Sequence, residues 1–365
     1  MSTFSWKRAV IKVGSSLIAP SNNQCSTQYL AAIAQFISES RKQGKEVILV
    51  SSGSVAAGKG KIAYKHKPSI AEKQAMAAIG QMQMMANWAG LFDFDCAQIL
   101  LTADDLHNRT RYVNIKNTLR ELLKNNALPI VNENDTVAVN ELKVGDNDNL
   151  AAYTALVAEA DTLIICSDIN GLYDADPRKN ENAKLISEVS HIDQAIYDLA
   201  GGAGSDVGTG GMQTKIQAAD KCVNSGIQTL IVNGRDANVF KLLATGTVPG
   251  TLFKTTKTQT SARNTWLRHT LKVKGNVHID IGAKDALLDK GASLLPSGII
   301  KVDGQFASGD AVNISFENKA IAKGLVMYNA ADLCAIQGLK SNQIEAKLGY
   351  SLSEAAVHRD DLVLL

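Results

Sequence analysis

The sequence predicts an α/β protein, a three-layer αβα sandwich with a mainly parallel central sheet, followed by a small, mostly β second domain. Three observations carry this. Short apolar runs alternate with longer amphipathic stretches through the first 250 residues. Those runs are apolar on both faces, as strands covered by helices on two sides must be. Beyond residue 250 the pattern changes to short strand-like segments separated by glycine-rich turns. A length of 365 residues accommodates about two such domains.

The elements follow in order. RAVIKVG (8–14) reads as a buried strand. Ser26 and Thr27 are placed to cap a helix in which Leu30, Ile33, Ala34 and Ile37 recur at helical spacing, and Gly44 ends it. EVILV (46–50) is the next strand, rich in β-branched residues. Further apolar runs are Ala97–Leu101, Leu128–Val131, Thr162–Cys166 and Thr229–Val232, with helical stretches between most of them. Residues 251–265 hold six threonines and little apolar periodicity, and read as a linker. After it, LKVKG, VHIDIG, GIIKV, AVNISF and AKGLVMY read as short strands, with one helical piece around Lys284–Lys290.

Composition excludes several classes. Hydrophobic residues are 45% and charged residues 20%, the balance of a folded chain rather than a disordered one. Thirty-eight basic against 36 acidic residues leave a net charge of +2, without the basic field of a nucleic-acid or membrane binder. Five widely spaced cysteines, with no CxxC, argue against a disulfide framework or a cysteine zinc site and read as reduced thiols. No apolar run reaches the roughly 18 residues of a membrane span. Lys12 interrupts the first apolar stretch, which makes it a poor signal peptide. A cytoplasmic location is expected. The six histidines show no metal-ligand spacing and no pairing with a nucleophile, so no metal ligands are assigned.

Polar clusters follow the strand ends, where ligands bind in open α/β sheets. GSVAAGKG (53–60) nearly matches the P-loop pattern but ends in Gly60 rather than a hydroxyl residue. It reads either as a degenerate P-loop with Lys59 on phosphate or as a glycine-rich turn whose tip is Ser51, Ser52 and Gly53. Lys12 lies inside an apolar strand, which is expensive without a partner. It either snorkels from an edge strand or points at phosphate oxygens. GGAGSDVGTGGMQTK (201–215) has six glycines and runs into an amphipathic helix stopped by Gly226. Glycine amides, a helix N-terminus and Lys215 together suit an anion, and a plain linker is the alternative. NEND (132–135) and GDNDN (145–149) suit a small zwitterion or a metal, or are Asx-rich turns. Ser167 and Asp168 open a polar loop that either only turns or holds a nucleotide.

KVGSS, VSSG, VNENDTVA, KVGDNDNLAA, SDINGLYDADPR and GTGGMQTKIQAAD occur in that order between residues 12 and 220. The ordered set resembles the amino-acid kinase family, and within it the glutamate 5-kinases, over residues 8 to about 255. Residues from about 272 to 350 are similar to a PUA domain. The expected organisation is a kinase domain (1–255), a linker (256–270) and a PUA domain (271–365). The resemblance implies ATP-dependent phosphorylation of the γ-carboxylate of L-glutamate, the first step of proline biosynthesis, with ATP as co-substrate and Mg²⁺. By the same resemblance, Lys12 and Lys215 bind ATP phosphates and stabilise the transferring group, and Asp148 orients them. Ser167, Asp168, Thr209, Gly210, Gly211, Met212, Gln213 and Thr214 complete the ATP site, while Ser52, Asp135 and Asn147 bind glutamate. Inhibition by proline, a homo-oligomer (dimer or tetramer) and a glutamyl phosphate reductase partner are further implications.

The chemistry agrees with the residues. A substrate carboxylate is already ionised at neutral pH and needs no general base. What it needs is charge neutralisation and positioning. RNA binding, the activity best known for PUA domains, is disfavoured by the charge balance: from residue 265 onward 11 basic residues face 11 acidic ones.

Overall fold

The computed structural model describes residues 4–20, 24–64, 67–138, 146–200, 211–255 and 273–365. It divides into two compact units, Met1–Leu106 with Lys116–Gln259, and His107–Ile115 with Thr260–Leu365. The expected linker, 256–270, lies outside the described residues.

The first unit is built on an eight-stranded sheet. Its strands are β1 (Arg8–Val13), β2 (Glu46–Ser51), β3 (Cys96–Leu101), β4 (Leu128–Glu133), β5 (Thr162–Ser167), β6 (Glu188–Val189), β7 (Gln228–Asn233) and β8 (Thr251–Phe253). They lie in the order β3-β4-β2-β1-β5-β7-β8-β6. All pairings are parallel except β7 with β8, which is antiparallel. The mainly parallel sheet expected from the apolar runs is present, and the six runs read as strands occur as β1, β2, β3, β4, β5 and β7. β1, β2, β4 and β5 are almost wholly buried on both faces, as a sheet covered by helices requires. Ile33, Phe36, Leu49, Trp88, Ile164 and Phe240 contribute to the core that helices close over one face.

β1 is central. Lys12 sits opposite Val50 of β2 and Ile165 of β5. The edge-strand reading of Lys12 therefore fails, because β1 is paired on both sides. The helix expected after Ser26 and Thr27 runs Leu30–Lys42, but its start is held by backbone bonds from Leu30 and Ala31 to the Thr27 carbonyl rather than by a side-chain cap.

The helix Ser54–Gly58 lies directly against the helix Ile70–Ala89 at two glycines. A Cβ on Gly58 would fall 1.9 Å from the Met76 carbonyl oxygen, and one on Gly80 would fall 1.9 Å from the Ser54 carbonyl oxygen. This explains the glycine that suggested a P-loop: Gly58 permits close helix packing, and Lys59 belongs to the 3₁₀ turn Lys59–Lys61 beyond it. Gly80→Ala is expected to destabilise the protein by about 3 kcal/mol, the upper end of overpacking costs, since only backbone can yield. A thermal melt checks this.

The second unit carries a five-stranded sheet of β9 (Val273–Ile279), β10 (Ile299–Gly304), β11 (Ala311–Phe316), β12 (Lys319–Val326) and β13 (Val357–Leu364), in the order β10-β9-β11-β12-β13. Within the described residues, the two segments read as separate strands around Gly275 form one strand. Gly275 does not turn the chain: a Cβ there would fall 2.5 Å from the Phe306 ring, so the glycine admits an aromatic side chain over the strand. Asp280 then caps the helix Ile281–Lys290 by accepting from the Ala283 amide at 2.7 Å, so that helix begins earlier than its charges suggested.

Candidate active site

The polar clusters gather at the carboxyl ends of β1, β2, β4 and β5. Two helices start there. Asp146 caps the helix Asn147–Val157 by accepting from the amides of Asp148 and Asn149 at 2.8 and 2.9 Å. The helix Met212–Asn224 begins after Gly211. It starts three residues before Lys215, so Met212, Gln213 and Thr214 form its first turn instead of a loop, and Lys215 projects from the following position. Thr209 and Gly210 lie outside the described residues.

The two helices and β1 bring three charged side chains together. Asp148 is completely buried, while Lys12 and Lys215 are 6% and 4% exposed. Lys12 Nζ lies 2.6 Å from Asp148 Oδ1, and Lys215 Nζ donates to Asp148 Oδ2 at 3.0 Å. Thr214 Oγ1 is 2.9 Å from the same Oδ2. Burial alone would push the Asp148 carboxyl up, but the two ammonium groups outweigh it and hold the group well below the ordinary carboxylate range. Lys12, Asp148 and Lys215 together are one carboxylate between two cations, a sum of +1 over these three side chains. Asp146 beside it is pushed up, first by burial and then by the Asp148 charge. Cys166, also near Lys12, is fully buried and pushed up to about 12, which makes it an inert thiol.

A second network, built mainly of amide side chains, adjoins the first. Asn147 Nδ2 donates to Asn132 Oδ1 at 2.9 Å and reaches the Ser51 carbonyl at 3.5 Å. Asn132 Nδ2 donates to Gln81 Oε1 at 2.9 Å. Asp135, just beyond β4, accepts from Ser54 Oγ at 2.8 Å. The backbone of Ser52 donates to the Val13 carbonyl at 3.0 Å, tying the loop after β2 to the end of β1. Gly53 follows with φ +98°, and a Cβ there would press on Ile18 at 3.0 Å. Ser51 is not part of the loop tip: it is fully buried, and its hydroxyl accepts from the Trp88 indole at 3.0 Å. As the last residue of β2 it faces the core.

Ser167 and Asp168 stand at the end of β5. Ser167 Oγ donates to Asp168 Oδ1 at 3.2 Å, and Arg235 lies 3.8 Å from Asp168 Oδ2. Among the described residues no group of three or more His, Cys, Asp or Glu side chains is arranged to hold a metal ion. All five cysteines are unpaired, and no described helix is long and apolar enough to cross a membrane.

Sequence reasoning missed Gln81, Asn132 as a distinct member of its cluster, and Arg235. Gln81 had a legible signal. Met76, Ala77, Gly80, Gln81, Met84 and Trp88 form the buried stripe of the helix Ile70–Ala89, and the glutamine is its one strongly polar member. Such a residue needs a hydrogen-bonding reason to be there.

The sequence profile of the amino acid kinase family matches residues 7–233, and that of the PUA domain matches residues 275–348. The glutamate 5-kinase of Idiomarina loihiensis is 52% identical over 364 residues, 99% of this chain and 98% of that protein. The glutamate 5-kinase of Salinibacter ruber is 52% identical over 98% of this chain and 97% of its own. Among solved structures, the UMP kinase from Bacillus anthracis aligns with a TM-score of 0.48 and 17% identity, covering 69% of this chain and 97% of that one.

Proposed function

The chain belongs to the amino acid kinase family, within the group of glutamate 5-kinases, and from that premise we infer that it moves the γ-phosphoryl group of ATP to the γ-carboxylate of L-glutamate. That reaction opens proline biosynthesis. The observation that carries the reading is the buried Lys12–Asp148–Lys215 cluster with its net positive charge.

A γ-carboxylate oxygen attacks the γ-phosphorus and forms the new P–O bond. The bond to the β,γ-bridging oxygen breaks, and ADP leaves with that electron pair. No proton moves, because the acceptor is already an anion. The barrier lies in bringing two anions together and in the charge that builds on the transferring group. Lys12 and Lys215 approach that group from two elements, and Asp148 fixes their spacing from below. A carboxylate already shared by two ammonium groups is a poor ligand for a cation. Mg²⁺ supplied with the nucleotide would contribute further charge neutralisation, and none of these three side chains is free to hold it.

The amides of Met212, Gln213 and Thr214 open the helix beside Lys215 and suit a phosphate there. Ser167 and Asp168, with Thr209, Gly210 and Gly211, complete the nucleotide side of this reading. Ser52, Asp135 and Asn147 take the amino acid, with Asp135 suited to its ammonium group. Proline, which shares the α-carboxylate and a cationic amine, is proposed to compete at the same place. The PUA domain is read as structural or regulatory.

ADP release from MgATP is measured with L-glutamate, N-acetylglutamate, aspartate and UMP, with a proline titration alongside. Turnover with L-glutamate alone, suppressed by proline, is the expected result. Turnover with a different acceptor would keep the family and overturn the substrate. Silence with every acceptor would overturn the reading.

A further inference from the structure

We propose that Gln81 is a specificity-determining residue of the acceptor site, its Nε2 donating to a carboxylate oxygen of the bound amino acid; this rests on the kinase reading above. The argument starts from the direction of the amide network. The Ser51 carbonyl can only accept, so Asn147 turns its amide nitrogen toward it, at 3.5 Å. The same nitrogen donates to Asn132 Oδ1 at 2.9 Å. Asn132 must then present its own nitrogen to Gln81, and Oε1 receives it at 2.9 Å. The chain of donors therefore runs one way and ends on Gln81 Nε2.

That nitrogen is buried and has no partner. Gln81 as a whole is only 8% exposed. Its amide cannot be reversed to hide the donor, because reversal would set two NH₂ groups against each other at Asn132. Its depth is also set. Gly80, the preceding residue, is pressed against the Ser54 carbonyl, so the helix cannot withdraw without opening the packing behind Gly53. A buried amide donor held this firmly calls for an acceptor.

The neighbours say which kind. Asn147 and Asn132 lead from the charged cluster to Gln81, and Ser54, whose hydroxyl donates to Asp135, has its carbonyl against the preceding residue, Gly80. An amino acid with two carboxylates and one ammonium group offers oxygens that only accept and a cation that suits Asp135. A cationic side chain offers no acceptor oxygen at the place of the second carboxylate, and a carboxamide offers one oxygen there where a carboxylate offers two.

Gln81→Glu is the decisive variant because it is nearly isosteric. It keeps an acceptor for Asn132 but replaces the donor with a charged acceptor. Steady-state kinetics with L-glutamate and MgATP, calorimetric titration of L-glutamate and a thermal melt are run on it and on Gln81→Met. Gln81→Glu is expected to raise KM and Kd for L-glutamate roughly tenfold or more, with KM for ATP and kcat close to the parent values and a lower Tm, because the new carboxylate is buried. Gln81→Met, which also strips Asn132 of its acceptor, is expected to lose kcat as well. Unchanged KM and Kd for L-glutamate in Gln81→Glu would overturn the assignment, as would an equal rise in KM for ATP. A parent chain that binds L-glutamate without phosphorylating it would sink the transfer reading and leave the Kd comparison to decide Gln81. A parent that neither binds nor phosphorylates L-glutamate would sink both.

Discussion

Asp148→Asn is expected to lower turnover by on the order of 10²–10³ and to destabilise the protein by about 3–5 kcal/mol. The side chain is completely buried and holds one ammonium group on each oxygen, at 2.6 and 3.0 Å. The amide has nearly the same shape but carries no charge. It leaves two buried cations without the carboxylate charge between them, and its NH₂ points at one of them. Both losses come from that single change, so rate and stability should fall together. Acid unfolding supplies a further check. The folded carboxyl lies well below its ordinary range. Its contribution is therefore fully present above the unfolded carboxylate pKa of about 4 and is lost as pH falls below that value. The variant has no such contribution to lose, so the stability gap to the parent should narrow as the pH drops through and below 4. A gap that stayed constant down the acid limb would mean that Asp148 is not held as an anion between the lysines.

How much of this was legible beforehand depended on the range of the interaction. Strands such as EVILV were readable because burial on both faces leaves a local pattern of apolar residues. Lys12 was readable as an anomaly, since a charge inside that pattern demands a partner, but its partner Asp148 lies 136 positions away and no local rule connects them. The order of motifs along the chain, rather than any spacing, linked Lys12, Asp148 and Lys215. Glycines were the least legible. Gly58 and Gly275 look like turn or phosphate-loop residues in sequence, yet each makes room for a neighbour: a carbonyl of another helix for one, the Phe306 ring for the other. Ser51 misled for a similar reason. Its position at a strand end suggested a ligand, whereas the pleat turns it inward to Trp88. Gln81 went unread because Gln74, Gln83 and Asn87 stand in the same helix, and only its place on the buried stripe sets it apart from them.

Lys215→Ala should lower turnover by the same order, roughly 10²–10³, while leaving the fold largely intact. The contrast with Asp148→Asn follows from counting charges. Removing Lys215 leaves Lys12 and Asp148 as a balanced buried pair at 2.6 Å, so the stability loss should be about 1.5–3 kcal/mol, the scale of one hydrogen bond to a charged group. The net charge of the cluster, however, drops from +1 to zero. If the cluster works by presenting positive charge to the transferring phosphoryl group, that loss falls on kcat and leaves KM for L-glutamate near its parent value, since the acceptor site proposed above lies in the amide network beside Asn147. If the lysine only braced Asp148, kcat would hold and Tm would fall. The double variant Lys215→Ala with Asp148→Asn then tests the coupling. It retains one buried cation instead of two, so its stability should lie above that of Asp148→Asn, and the two changes should be clearly non-additive. Recovery of stability without recovery of rate would separate the two tasks of the cluster: the carboxylate makes the pair of lysines tolerable inside the protein, and the lysines make the transfer of charge between two anions fast.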